Sequence, residues 1–184
     1  MTSDGAHIWI EAGMDELAKS GIGGVRVEVL AQNLGITKGG FYRRFKDRRA
    51  LLDAMLDTWA KGRIAAIEKQ TKLGNATPDE RLKSVIKLFA ERVNARGMAI
   101  ELAIRQWGRS DTGAAEAVAG VDIARLKSVA KLYGTMGLSP PRAEAYAVLF
   151  YAYIFGQGML FLDPSPRKRA NLITACADIL TSIG

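Results

Sequence analysis

A chain of 184 residues, 48% of them hydrophobic, can bury one or two cores, while a single cysteine (Cys176) and a single histidine (His7) exclude a disulfide framework, a zinc cluster and any Cys-His or His-based catalytic set. The lone thiol fits a reducing cytoplasm, and no metal or cofactor is expected. The formal charge is +7, but residues 1–60 carry eight basic and eight acidic side chains and residues 61–184 carry 18 and 11, so overall basicity does not single out the N-terminal part.

Apolar positions recur at helical spacing along the whole chain, and no alternating β-branched run marks a strand. An all-α fold of about nine helices is predicted. Ala6–Lys19 is the first helix, with Trp9, Ile10, Gly13, Met14 and Leu17 on one face. His7 falls on its surface. The glycines at 21, 23 and 24 follow a helix rather than a strand, so they read as an interhelical turn and not as a phosphate loop. No basic segment leads an apolar run at the N-terminus, so no signal peptide is expected.

Val27–Leu34 is a short helix whose stripe, Val27, Leu30, Ala31 and Leu34, recurs at i, i+3, i+4 and i+7. Gly35 stands where a left-handed cap ends a helix. Thr37 can cap the next helix, which runs to Phe45 with Phe41 and Phe45 inward and Ile36 beside them. Two short helices joined by a tight glycine turn make a helix-turn-helix unit. Asp47 is the expected cap of a long fourth helix with Leu52, Met55, Leu56 and Trp59 as its stripe.

The fourth helix is expected to stop near Gly74-Asn75. Thr77-Pro78-Asp79-Glu80 is a capping box with proline at the first helical position, opening a helix that carries Leu82, Val85, Ile86 and Phe89. Gly97 is expected to mark a break before a short helix, Met98–Trp107. Asp111 or Thr112 opens another helix, closed near Gly137. Ser139-Pro140-Pro141 starts the apolar segment Ala145–Leu162, and Arg167–Ile183 is the last helix. Ala145–Leu162 is long enough to raise a membrane span. Its three tyrosines, its Gly-Gln-Gly and the lack of a second span favour a helix buried against a partner instead. Cys176, in an apolar helix, reads as a small buried residue.

The segment Ile36–Arg49 sets Lys38, Arg43, Arg44, Lys46, Arg48 and Arg49 against Asp47 alone, a local net charge of six minus one, +5. A charge run by itself usually means only a solvated face. Here it accompanies a short helix, a glycine turn and a second helix with aromatics inward and glycines outward. A helix that enters the major groove directs N-terminal side chains at base edges while neighbours hold phosphates. On this reading Gly39 and Gly40 remove bulk from the approach, Thr37 and Lys38 offer donors, Tyr42 donates to a phosphate, and Arg43, Arg44, Lys46 and Arg48 supply the electrostatic attraction.

The stretch VRVEVLAQNLGITKGGFYRRFKDRRALLDAMLDTW resembles the TetR family of bacterial transcriptional regulators. The resemblance is carried by Val27, Glu28, Leu30, Ala31, Gly35, Ile36, Thr37, Lys38, Gly39, Phe41, Tyr42, Phe45, Arg48 and Leu51, and covers roughly residues 9–59. Arg26 departs from it, standing where the family commonly has a Ser or Thr that caps the second helix. Gly40 and Arg44 depart as well, replacing a small residue and a frequent aromatic.

The resemblance implies a non-enzymatic, sequence-specific DNA-binding regulator, with a DNA-binding domain at 1–58 and a regulatory and dimerisation domain at 59–184. It also implies a homodimer through the last two helices, where Ala152 and Gly156 allow close approach, and a pseudo-palindromic operator from which a small molecule releases a repressor. Candidate lining residues are Glu101, Arg105, Trp107, Tyr133, Tyr146, Phe150 and Tyr153. Aromatics at helical spacing are more often core, and Glu101 and Arg105, four apart, can simply pair. A ligand-independent regulator and a membrane-associated helical protein are the alternatives.

Overall fold

The computed structural model describes residues 4–71, 76–90, 95–159 and 165–183. Among them are nine helices and no strand: α1 Asp4–Ser20, α2 Val27–Leu34, α3 Lys38–Tyr42, α4 Arg48–Thr71, α5 Pro78–Ala90, α6 Ala95–Trp107, α7 Thr112–Thr135, α8 Pro140–Met159 and α9 Pro166–Thr181. They form two compact units. The first takes the described residues up to Arg63 together with α6 and α7 as far as Val121; the second takes Ile64 onward, α5, the rest of α7, α8 and α9.

Local chemistry sets most of the boundaries. Asp47 Oδ1 accepts the Ala50 N–H at 2.9 Å and Asp111 Oδ1 accepts the Ala114 N–H at 2.9 Å, so both aspartates cap the helices they precede. At α5 the Glu80 carboxylate accepts the Thr77 N–H at 2.7 Å, one half of the expected box. The Thr77 hydroxyl turns instead to Asp79 at 2.6 Å, which holds the Asp79 carboxyl below its ordinary range. Gly35 adopts φ +64° and Gly137 φ +99°, left-handed positions that favour glycine at the ends of α2 and α7. Gly97 does not break a helix. It is buried within α6, which begins at Ala95. The predicted stop at Gly74-Asn75 and the side chain of Phe89 lie outside the described residues.

The first unit is built on Trp9, Leu17, Leu30, Phe41, Leu51, Met55 and Ile104, all essentially removed from solvent. α6 packs alongside α1. There the Arg96 guanidinium donates to Asp15 at 2.6 Å and to Glu11 at 2.8 Å.

The second unit centres on Leu82, Ile86, Tyr133, Ala147, Phe150 and Ile154. α5 packs against α8 and α9, and Lys83 pairs with Asp178 at 2.9 Å. Arg125 is buried in this unit beside Asp122, with its guanidinium 5.4 Å from the centre of the Phe155 ring. Cys176 is half-buried rather than fully enclosed.

No described helix is long and apolar enough to cross a membrane. The apolar run expected at 145–162 lies within α8 up to Met159, and its last three residues lie outside the described set.

Candidate nucleic-acid interface

α2 and α3 meet through a turn the sequence specifies closely. The Gly35 N–H donates to Gln32 O at 3.1 Å and the Ile36 N–H to Ala31 O at 3.0 Å, closing α2 before α3 begins. α3 has only five residues, too few to be stable alone, so tertiary packing must hold it. Phe41 does so. It is fully buried, edge-on to Trp9 at 5.3 Å and stacked on Phe45 at 5.5 Å. With Phe41 fixed inward, Thr37, Lys38, Gly39, Tyr42 and Arg43 are left exposed. Tyr42 keeps 59% of its surface in solvent.

The two glycines of α3 serve different ends. A Cβ on Gly39 would meet only the Thr37 hydroxyl, at 3.7 Å, so this position opens outward. A Cβ on Gly40 would stand 2.7 Å from Ile36 Cγ2, below any ordinary contact. A larger residue at Gly40 would therefore make the Ile36 side chain shift, so packing inside the motif also favours glycine there. Thr37 occupies the N-cap position of α3 with extended backbone, but its side chain makes no capping hydrogen bond.

The basic residues also divide. Arg48 is not free for a partner: its Nε donates to Val25 O at 2.6 Å and its Nη2 to Ile22 O at 2.7 Å. The glycine-rich turn between α1 and α2 leaves carbonyls without helical donors, and Arg48 reaches across to satisfy them. Arg48 thus ties this turn to the start of α4 while its charge stays in the basic segment. Arg48→Gln is expected to lower the melting temperature by loosening that turn, while the salt dependence of DNA binding stays as in the parent. A melting curve beside a salt titration checks both parts.

Arg49 is held by Asp53 and Asp111, which raise its pKa. Lys38 donates to Glu28 of α2 at 2.7 Å, and that contact holds the Glu28 carboxyl below its ordinary range. Glu28 was not expected as a site residue, although it is one of the residues that carry the family resemblance and an acid in the first turn of α2. Arg43, Arg44 and Lys46 are exposed. Arg44 lies over the first turn of α1, where a Cβ on Gly5 would come within 2.7 Å of its guanidinium. Arg26 is the exposed N-cap of α2 and makes no side-chain capping bond.

Residues 10–55 match the family model described as bacterial regulatory proteins of the tetR family. Over these residues the chain is similar to the tetR family of bacterial regulatory proteins. The TetR-like fold extends over nearly the whole chain. A transcriptional regulator from Rhodococcus sp. Rha1 superposes with a TM-score of 0.76 at 17% identity, over 98% of this chain and 94% of that one. A proposed transcriptional regulator from Saccharomonospora viridis, solved in complex with choline, gives 0.77 at 15% identity, over 97% and 95%. The fatty acid degradation regulator FadR from Bacillus halodurans gives 0.69 at 14% identity, over 99% and 97%. No curated protein sequence matches the chain.

The residues expected to line a ligand pocket divide between the two units. In the first unit Glu101 and Arg105 pair with each other at 2.9 Å, and Trp107 is buried in the core. In the second unit Tyr133 and Phe150 are wholly buried, and the Tyr133 hydroxyl donates to Leu180 O at 2.8 Å. Burial pushes the Tyr133 phenol well above its ordinary pKa. Tyr146 lies 5.2 Å from the Tyr133 ring, and Tyr153 is half-buried, its hydroxyl pushed up to about 12 by burial.

The second unit leaves apolar surface open on its last two helices. On α8, Ala145, Val148, Leu149 and Ala152 are exposed at helical spacing, with Val148 and Leu149 at 54% and 58%. Gly156 follows on the same stripe, and among the described residues nothing lies within 4 Å of a Cβ built on it. On α9, Leu172 and Ile179 are 49% and 72% exposed.

Proposed function

We propose that the protein is a sequence-specific DNA-binding transcriptional regulator, a repressor released from a pseudo-palindromic operator by a small molecule. Residues 1–58 act as the DNA-binding domain and 59–184 as the regulatory and dimerisation domain. The observation that carries this reading is α3, anchored by Phe41 beneath and exposing Thr37, Lys38, Gly39, Tyr42 and Arg43 together. Thr37 and Lys38 reach base edges and phosphates at the start of that helix, Gly39 lets the backbone come close, and Tyr42 donates to a phosphate. Arg26, Arg43, Arg44 and Lys46 supply the sequence-independent attraction.

The exposed apolar stripes of α8 and α9 support a homodimer through those helices, since contiguous apolar patches usually mark an interaction site. A two-fold dimer reads half-sites about 34–36 Å apart, one helical turn of DNA. The choline complex of the Saccharomonospora viridis neighbour supports a small-molecule effector. The burial of Trp107, Tyr133 and Phe150 favours a second reading, a regulator that responds to no ligand.

The test of DNA binding is Lys38→Ala. Its ion pair with Glu28 is exposed and contributes little to stability, so the variant should melt like the parent. Operator affinity should fall, and the slope of log K against log salt should lessen by about one. Equal affinity at equal salt would move the reading face elsewhere.

Arg26 separates stability from binding. An arginine at the N-cap forgoes a side-chain cap worth about 1 kcal/mol and sets positive charge against the positive end of α2. Arg26→Ser is expected to raise the melting temperature while lowering affinity for operator and non-operator DNA alike. An unchanged salt slope would make Arg26 only a poor cap.

A further inference from the structure

An exposed carboxylate sits at the start of a face that is otherwise basic. Glu28 stands in the first turn of α2, and Lys38 is the residue that opens α3. The turn at Gly35 brings the two side chains together, and Lys38 Nζ donates to Glu28 Oε1 at 2.7 Å. Both stay open to solvent, with 56% and 61% of their side-chain surface exposed, beside the exposed Thr37 and Gly39. An acid in the first turn of a helix is favourable in itself, because it meets the positive end of the helix dipole. That accounts for the charge but not for its contact with α3. Where phosphates must approach, a negative charge also opposes binding.

We infer that Glu28 is a specificity residue, and that the Glu28–Lys38 pair reads one G·C base pair in each half-site of the operator. In the major groove guanine presents two acceptors, N7 and O6, and its cytosine presents a donor, the N4 amino group. The ion pair offers the complement, a donor and an acceptor side by side. An ammonium has three N–H donors and gives one to Glu28, which leaves two for guanine. The carboxylate keeps lone pairs after accepting from Lys38 and can take the cytosine N–H. An A·T pair breaks the match, setting the adenine amino group against the ammonium and the thymine O4 against the carboxylate.

Glu28 acts in two ways. It restrains a long, flexible lysine in one place, so that the ammonium serves as a base reader. It also repels phosphates, and only a sequence that brings the cytosine donor offsets that repulsion. This role rests on the DNA-binding reading above and gives that reading a source of selectivity.

The experiment uses the full chain and defined duplexes: the selected operator, versions with each G·C pair changed to A·T in both half-sites, and a shuffled sequence. Binding is measured across a salt series for the parent, Glu28→Ala, Lys38→Ala and the double variant, beside melting curves. Glu28→Ala is expected to bind the shuffled duplex more tightly than the parent, with a salt slope steeper by about one. At one G·C position the change to A·T should cost the parent about tenfold and each of the three variants little. The double variant should lose no more of that preference than either single one.

A merely structural Glu28 would move the melting curve alone. Glu28→Ala with the parent's penalty at every G·C position, or with the parent's affinity and slope on shuffled DNA, would overturn the assignment while DNA reading stands. Independent losses that multiply in the double variant would show that the two residues do not read as a unit, and overturn it as well. A parent that binds operator and shuffled duplexes alike would sink the regulator reading and this one with it.

Discussion

Phe45→Ala is expected to unfold the helix-turn-helix at physiological temperature. Phe45 is 8% exposed and stacks on Phe41 at 5.5 Å, and Phe41 in turn anchors a helix of five residues. Deleting a buried phenylalanine costs about 3–5 kcal/mol, much of a small domain's margin. α3 has no independent stability to fall back on. DNA binding should be lost together with the cooperative melting transition of the first unit. Circular dichroism and near-ultraviolet melting curves read the effect. A variant that melts within a few degrees of the parent would show that Phe45 is not part of the support beneath α3.

Leu149→Arg is expected to convert the dimer to monomer. Leu149 is 58% exposed within the single chain, so an arginine there meets water and leaves the fold intact. In the proposed dimer the same side chain is covered, and an uncompensated buried charge costs about 3–5 kcal/mol, incurred twice by symmetry. Gly156→Leu is a milder companion, with overpacking of about 1–3 kcal/mol felt only where a second chain closes on it. Among the described residues of the single chain, nothing obstructs that leucine's Cβ. Light scattering at micromolar concentration distinguishes the outcomes. A Leu149→Arg protein that stays dimeric with normal melting would place the interface off α8.

The helix-turn-helix was legible because its determinants are local. The stripe of α2, the left-handed glycine at 35 and the aromatics at 41 and 45 lie within about twenty residues and act on one another directly. Caps at Asp47 and Asp111 were legible for the same reason. The bonds of Arg48 were not, because the carbonyls it reaches belong to a turn more than twenty residues away; the contact between Gly40 and Ile36 spans only four residues but depends on the geometry of the turn between α2 and α3.

The residues expected to line a ligand pocket were the least legible. Periodicity places Trp107, Tyr133 and Phe150 on inward faces but does not say whether an inward face meets core or cavity, and in the structure all three are core.

The most direct test of the central claim is selection of DNA from a random-sequence pool by the purified protein, followed by sequencing of the retained fragments. The account predicts enrichment of one two-fold-symmetric sequence with half-sites about one helical turn apart, and loss of that enrichment in Lys38→Ala at the same salt. Retention of all sequences alike, or the same enriched sequence from Lys38→Ala at undiminished affinity, would contradict it.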